Sequence, residues 1–189
     1  YADELGYCIK PLVIAKQEDH ELEVRVHPTL LAKSHLLANV NGVYNAIYVH
    51  GDMVGSELFY GRGAGQNPAA SSVLSDIADV ARGIRAAPFG RPIAKLKTTT
   101  KAPMERHEGG YYIRLMARDL AGTAATIATR LAEQKISIES IVQRHPDGAI
   151  ELLNARGKPS PVPVILITYA TTEDAVRRAL HAVQQDRVI

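Results

Sequence analysis

Tyr111 to Val142 reads YYIRLMARDLAGTAATIATRLAEQKISIESIV, and the change of period inside this stretch decides the fold. Tyr111 to Ala117 is an apolar run of strand character, and Asp119-Leu120-Ala121-Gly122 is a turn. Ile127 and Leu131 then recur at helical spacing up to Gln134, before Ile136 and Ile138 alternate with Ser137 and Glu139 on the way to Val142. Downstream, Pro146-Asp147-Gly148 marks another turn, and the residues to Pro161 read as an extended, irregular loop. Val162 to Tyr169 (VPVILITY) is a further strand. Thr171 and Thr172 can cap a helix carrying Ala175, Val176, Leu180 and Val183, and Arg187-Val188-Ile189 remains for a last short strand. The order is βαββαβ, the ferredoxin-like arrangement.

Upstream of Gly83 the pattern differs. Tyr7 to Ala15 (YCIKPLVIA) and Glu21 to Val26 (ELEVRV) read as strands, and Val43 to Val49 and Met53 to Tyr60 form a hairpin around His50-Gly51-Asp52. After Gly65 the period becomes helical, with Ala69, Val73, Ile77, Val80 and Ala81 on one face and Arg82-Gly83 at the stop. Between the two blocks, residues 84–109 carry Arg85, Arg91, Lys95, Lys97, Lys101 and Arg106 against Glu105 and Glu108, a local charge of +4 in a chain of net charge +2. Pro88, Pro92 and Pro103 punctuate this segment, which reads as a solvated basic linker. The expected class is α+β: a mixed or antiparallel sheet with a helix in residues 1–83, the linker at 84–109, and the ferredoxin-like module at 110–189.

Composition sets the outer limits. With 46% hydrophobic and 22% charged residues over 189 positions, the chain is an ordinary globular one, and disorder, collagen and coiled coil are excluded. No apolar run approaches the roughly 20 residues that span a bilayer, and no basic-then-apolar leader opens the chain, so a soluble, cytoplasmic protein without a membrane partner is expected. The small net charge gives no case for nucleic acid. Cys8 is the one cysteine and reads as a small core residue rather than a nucleophile. Tyr1 stands where an initiator methionine would, and the chain is expected to be a piece of a longer one.

Gly61-Arg62-Gly63-Ala64-Gly65 lies between a strand and a helix, where free N–H groups and the helix dipole favour an anion. It departs from the dinucleotide fingerprint, whose third glycine would fall at Gln66. Spacing alone leaves two readings open, an anion-binding turn and a tight turn with no ligand. Histidines 20, 27, 35, 50, 107, 145 and 181 offer no i, i+4 helical pair, so no metal site is expected. Ser71-Ser72 lies within a helix rather than on a nucleophile elbow. Asp76, Asp79 and Arg82 make an exposed ion-paired face. Arg118-Asp119 with Gly122 either exposes N–H groups to a small carboxylate ligand or is an ordinary capped turn.

Three stretches carry a resemblance: Val26-His27-Pro28-Thr29-Leu30, Leu37-Ala38-Asn39-Val40-Asn41-Gly42-Val43-Tyr44-Asn45-Ala46, and Phe59-Tyr60-Gly61-Arg62-Gly63-Ala64-Gly65. Together with Tyr1 to Tyr7, their order and spacing over residues 1–83 resemble the C-terminal part of the catalytic region of bacterial homoserine dehydrogenase. Residues 110–189, through Tyr112-Ile113-Arg114-Leu115, Asp119 to Gly122 and Ile136 to Ile141, are similar to an ACT domain, a small-molecule-sensing module appended to many of these enzymes.

The resemblance implies NAD- or NADP-dependent interconversion of L-homoserine and L-aspartate 4-semialdehyde, on the route to threonine and methionine. It places the cofactor domain and the catalytic lysines upstream of Tyr1, so no catalytic residue is assigned in this chain and the chain alone is expected to be inactive. Gly61, Gly63 and Gly65 are the cofactor-binding candidates, with Gly65 first, because in the family this loop approaches the nicotinamide. Asp119, Ala121 and Gly122 are the effector-binding candidates, with L-threonine as the effector and a homo-oligomer, dimer or tetramer, as the assembly. Leu36 stands where the family commonly has proline, and Ala69 where it has a small polar residue. Ala121 replaces the proline of the usual ACT turn, which leaves that turn less rigid. The rival reading is a stand-alone amino-acid-sensing or dimerisation module without catalysis, which has no use for the His27 to Gly65 residues.

Overall fold

Two long strands open the chain and continue past their apolar cores. The computed structural model describes residues 1–18, 20–87, 89–144 and 161–189. In it β1 spans Tyr7–Glu18 and β2 spans Glu21–Ala32. They are neighbours in a three-stranded sheet of order β1–β2–β5, where β5 is the two-residue strand Thr100–Lys101. β2 was expected to stop before Pro28, which cannot donate to a ladder. It continues because β5 borders only a short part of it, and the open edge tolerates proline.

By contact the chain divides into two compact units, residues Tyr1–Ile14 with Arg25–Thr100, and residues Ala15–Val24 with Lys101–Ile189. In the first unit, β3 (Tyr44–Gly51) and β4 (Gly55–Arg62) pair antiparallel from Tyr44↔Arg62 to Gly51↔Gly55. The turn therefore lies at residues 52–54, beyond the His50-Gly51-Asp52 expected. Gly55, at φ +74°, supplies the left-handed residue that closes such a three-residue loop. Helix α1 (Gln66–Ala81) follows, and Arg82 reaches Asp79 at 3.8 Å on its exposed side. No described residue of this unit is buried. Val73, Leu74, Ile77 and Val80 of α1, and Ile47 and Phe59 of the hairpin, are all more than half exposed.

The second unit holds the core. β7 (Tyr112–Ala117) and β8 (Ile138–Gln143) both pair antiparallel with the central β9 (Val162–Thr168). Helices α2 (Thr123–Glu133) and α3 (Glu173–Gln185) supply the second layer. Ile127, Leu131, Val164, Leu166, Ala179 and Val183 are essentially solvent-free at its centre, with Ile113, Leu115 and Val176 around them. Burial on this scale is the main favourable term in folding. β7 is continuous in periodicity with its expected strand, and every described residue of β9 is buried, as befits a central strand. Thr172 caps α3 by accepting from the Ala175 N–H, as its position implied.

The tip of the β1–β2 ribbon belongs to this unit. Glu23, buried, meets His107 at 3.1 Å, Glu21 accepts from Arg106, and Ala102 N–H donates to Leu22 O. β6 (Glu108–Gly109) pairs with β10 (Thr171–Thr172), and Glu173 N–H donates to His107 O. Residues 100–109 are therefore tied into structure, whereas every described residue of 84–99 is exposed. The last strand expected at 187–189 does not form. Arg187 takes a left-handed φ of +55°, which breaks the extended run; Arg118 N–H, just past β7, donates to Val188 O at 2.8 Å, and Val188 and Ile189 pack against the core. The turn at Pro146-Asp147-Gly148, the loop running to Pro161 and the proline at 88 lie outside the described residues.

Candidate functional site

The glycine turn leaves β4 and enters α1, and its three glycines stand in three different settings. Gly61 still belongs to β4, opposite Asn45, and a Cβ there would meet nothing within 4 Å. Gly63 is confined by a side chain, because a Cβ on it would overlap the carboxamide of Asn45. Gly65 is confined by its backbone: φ is +121° and ψ 155°, a conformation that L side chains rarely adopt. Gly63 N–H donates to Val43 O at 3.2 Å, which carries the hairpin register one pair further.

Gly65 is the cap residue of α1, and no side chain caps this end. Its carbonyl accepts from Ala69 N–H at 3.1 Å. The first N–H groups of a helix have no partner within it, and Pro68 carries none. The turn therefore aims the N–H groups of Gln66 and Asn67 and the positive end of the helix dipole outward, where a polar or anionic group would be stabilised. Beside it Tyr44 and Tyr60 stack at 4.9 Å, and the Arg62 guanidinium lies 5.6 Å from the Tyr44 ring.

A second turn, between β7 and α2, brings Asp119, Ala121 and Gly122 together. Gly122 caps α2 in the left-handed region, φ +92°, and its carbonyl accepts from Thr126 N–H at 2.9 Å. Asp119 does not cap the helix. Its carboxylate accepts from Gln143 Nε2 at 3.1 Å, which ties the turn to the end of β8. Thr123 at the start of α2 is buried.

Asn45 and Gln143 went unnoticed in the sequence. Asn45 could have been found from register, since a turn at 52–54 puts it across from Gly61, but the turn was read two residues early. Gln143 carries no sequence signal, because its partner lies 24 residues away. Cys8 is half-buried, its thiol pointing to Ala38 O at 3.8 Å. Among the described residues no three His, Cys, Asp or Glu side chains gather where they could hold a metal ion, and no helix is long and apolar enough to cross a membrane.

Residues 1–78 match the family model of homoserine dehydrogenase. The homoserine dehydrogenase of Pseudomonas aeruginosa is 42% identical over 191 residues, covering 97% of this chain and 42% of the relative. That of Neisseria gonorrhoeae is 40% identical, covering 97% of this chain and 41% of the relative. Among solved structures, a homoserine dehydrogenase from Thiobacillus denitrificans superposes with a TM-score of 0.78 at 39% identity, over 98% of this chain and 41% of that one. The chain thus spans about two fifths of the length of the relatives it matches. Over nearly all of its own length it is similar to proteins named homoserine dehydrogenase.

Proposed function

We propose that this relative of the homoserine dehydrogenases is the C-terminal portion of such an enzyme, contributing the end of the catalytic and substrate region and a regulatory ACT domain. The intact enzyme would interconvert L-homoserine and L-aspartate 4-semialdehyde with NAD or NADP, in the cytoplasm and as a homo-oligomer, on the route to threonine and methionine. The observation that carries this reading is the glycine turn. It lies inside the span of the family match, and its Gly65 holds a backbone conformation reserved for glycine at an uncapped helix end.

The residues present fit the polar end of a nicotinamide cofactor. Gly61 and Gly65 leave the backbone bare of side chains, and the N–H groups at the start of α1 can donate to a carboxamide or phosphate oxygen. The cofactor supplies hydride acceptance and donation. The chain's part is to orient it, since a reactive ring held within a few tenths of an ångström gains most of what positioning can give. The second turn supports the regulatory reading. Asp119, Ala121 and Gly122 sit in the turn that enters α2, where a carboxylate and helix N–H groups suit the ammonium and carboxylate groups of L-threonine, and an effector bound there acts only if it favours one conformational state over another. The order β7-α2-β8-β9-α3, with β9 central, supports the ACT assignment.

Gly65→Val in the intact enzyme tests the cofactor role. It forces a β-branched residue into φ +121°, so the cofactor KM should rise at least about tenfold, or turnover should vanish, with oligomeric state unchanged. An unchanged cofactor KM would return the turn to a packing role.

A further inference from the structure

Among the described residues Glu23 is the one charged residue that is buried, and it lies at the tip of the β1–β2 ribbon, within residues 15–24. Its carboxylate meets His107 Nδ1 at 3.1 Å, with the two side chains only 8% and 14% exposed. Further bonds hold the tip. Arg106 Nη2 donates to both carboxylate oxygens of Glu21 at 3.1 and 2.9 Å, and Ala102 N–H donates to Leu22 O at 3.0 Å. His107 is itself tied down: its N–H donates to Met104 O at 2.9 Å, and its carbonyl accepts from Glu173 N–H at the start of α3 at 3.1 Å. Its ring stands edge-on to Tyr111, whose N–H donates to the buried Thr168 hydroxyl at the end of β9. A buried carboxylate tolerates only an arrangement that keeps a partner, so the Glu23–His107 pair specifies where the tip docks.

Every atom of this clasp lies in the second unit, yet the two strands that carry its ribbon side run on without a break into the first. The segment 84–99 also connects the units. Its described residues are all exposed, and its backbone bonds are local, as from Gly90 to Ala87, Lys95 to Pro92 and Leu96 to Ile93. An exposed segment held by local bonds passes on little displacement, whereas two paired strands move together. We propose that the clasp, and not the 84–99 segment, is the link through which an effector bound to the second unit acts on the first. Glu23 and His107 are its positioning residues, because His107 carries both the start of α3 and the ribbon tip. The inference rests on the reading of the second unit as an effector module, and it goes further by naming the route along which a shift between conformational states is passed on.

The experiment uses the intact dehydrogenase with a specific protease site placed at residues 96–99, so that one cut opens the exposed segment and leaves the ribbon whole. The two fragments should elute together, and saturating threonine should lower the rate of the cut enzyme to within about twofold of its effect on the uncut one. With Glu23→Gln the fragments should separate at least about tenfold more readily on dilution, because the buried pair has lost its charge. In the uncut Glu23→Gln enzyme, saturating threonine should lower the rate by less than about twofold. Its rate without threonine should stay within about twofold of the parent, and its threonine Kd by calorimetry within about threefold. Bound effector without inhibition is a split that general loss of structure does not produce.

Loss of inhibition on cutting the parent would assign the signal to the 84–99 segment and overturn the inference. The same holds if threonine slows Glu23→Gln as it slows the parent, or if the Glu23→Gln fragments hold together as tightly. If threonine does not slow the parent at all, it is the effector reading that fails, and the route falls with it. Should Glu23→Gln fold poorly, the melting temperature reveals it, and Arg106→Gln, on the exposed side of the clasp, must still weaken fragment association and inhibition together by about twofold.

Discussion

Gly65 and Gly63 look alike in the sequence, as members of one glycine-rich run, yet the first answers to a backbone angle and the second to a neighbour. Spacing can flag the run but cannot separate these causes, because the neighbour arrives through hairpin register. Asp119 is a similar case. Its place before a helix invites a capping role, whereas the fold gives the cap to Gly122 and the carboxylate to Gln143. The Arg130–Asp186 pair is likewise invisible in sequence, with 56 residues between its members. Arg130 Nε and Nη2 donate to the two Asp186 oxygens at 2.7 and 2.8 Å and join α2 to the end of α3. That hydrogen bonding holds the Asp186 carboxyl below its ordinary 3.8. A lowered folded value means the contribution is complete above the ordinary value and is lost as pH falls through the lower one. Arg130→Gln should therefore reduce the melting temperature at neutral pH, and its gap from the parent should narrow below pH 3.8. A gap that stays constant into acid would show that the pair contributes nothing through charge.

Elements were legible where one periodicity dominated. The alternation of β7, the helical spacing of Ile127 and Leu131, and the apolar run of β9 each point to the element that forms. Misreadings fell where a local signal competed with long-range pairing, as at Pro28, at the turn 52–54 and at residues 187–189. Amphipathicity also hides what covers an apolar face. α1 and α2 both carry apolar residues at helical spacing, yet Ile127 of α2 is fully buried and Ile77 of α1 is 58% exposed. In denaturant unfolding of the 189-residue chain, Ile127→Ala should cost about 3 kcal/mol through lost burial and a cavity. Ile77→Ala should stay within about 0.5 kcal/mol. Comparable losses would mean that α1 has a packing partner within the chain.

The unit that contains residues 27–65 buries none of its described residues, and the other has a finished core. A domain that folds by itself buries most of its apolar surface, so this contrast favours a first unit completed by further protein over a stand-alone sensor. Composition could not reveal it, because the first unit is no less apolar in sequence than the second. The most direct test is the rate of homoserine-dependent NAD or NADP reduction, measured for the intact protein with and without L-threonine and for this 189-residue chain alone. The proposal predicts turnover by the intact protein that threonine lowers, and none by the chain. Turnover by the chain alone, or none by the intact protein with either cofactor, would contradict it, and a rate indifferent to threonine would remove the effector role from Asp119, Ala121 and Gly122.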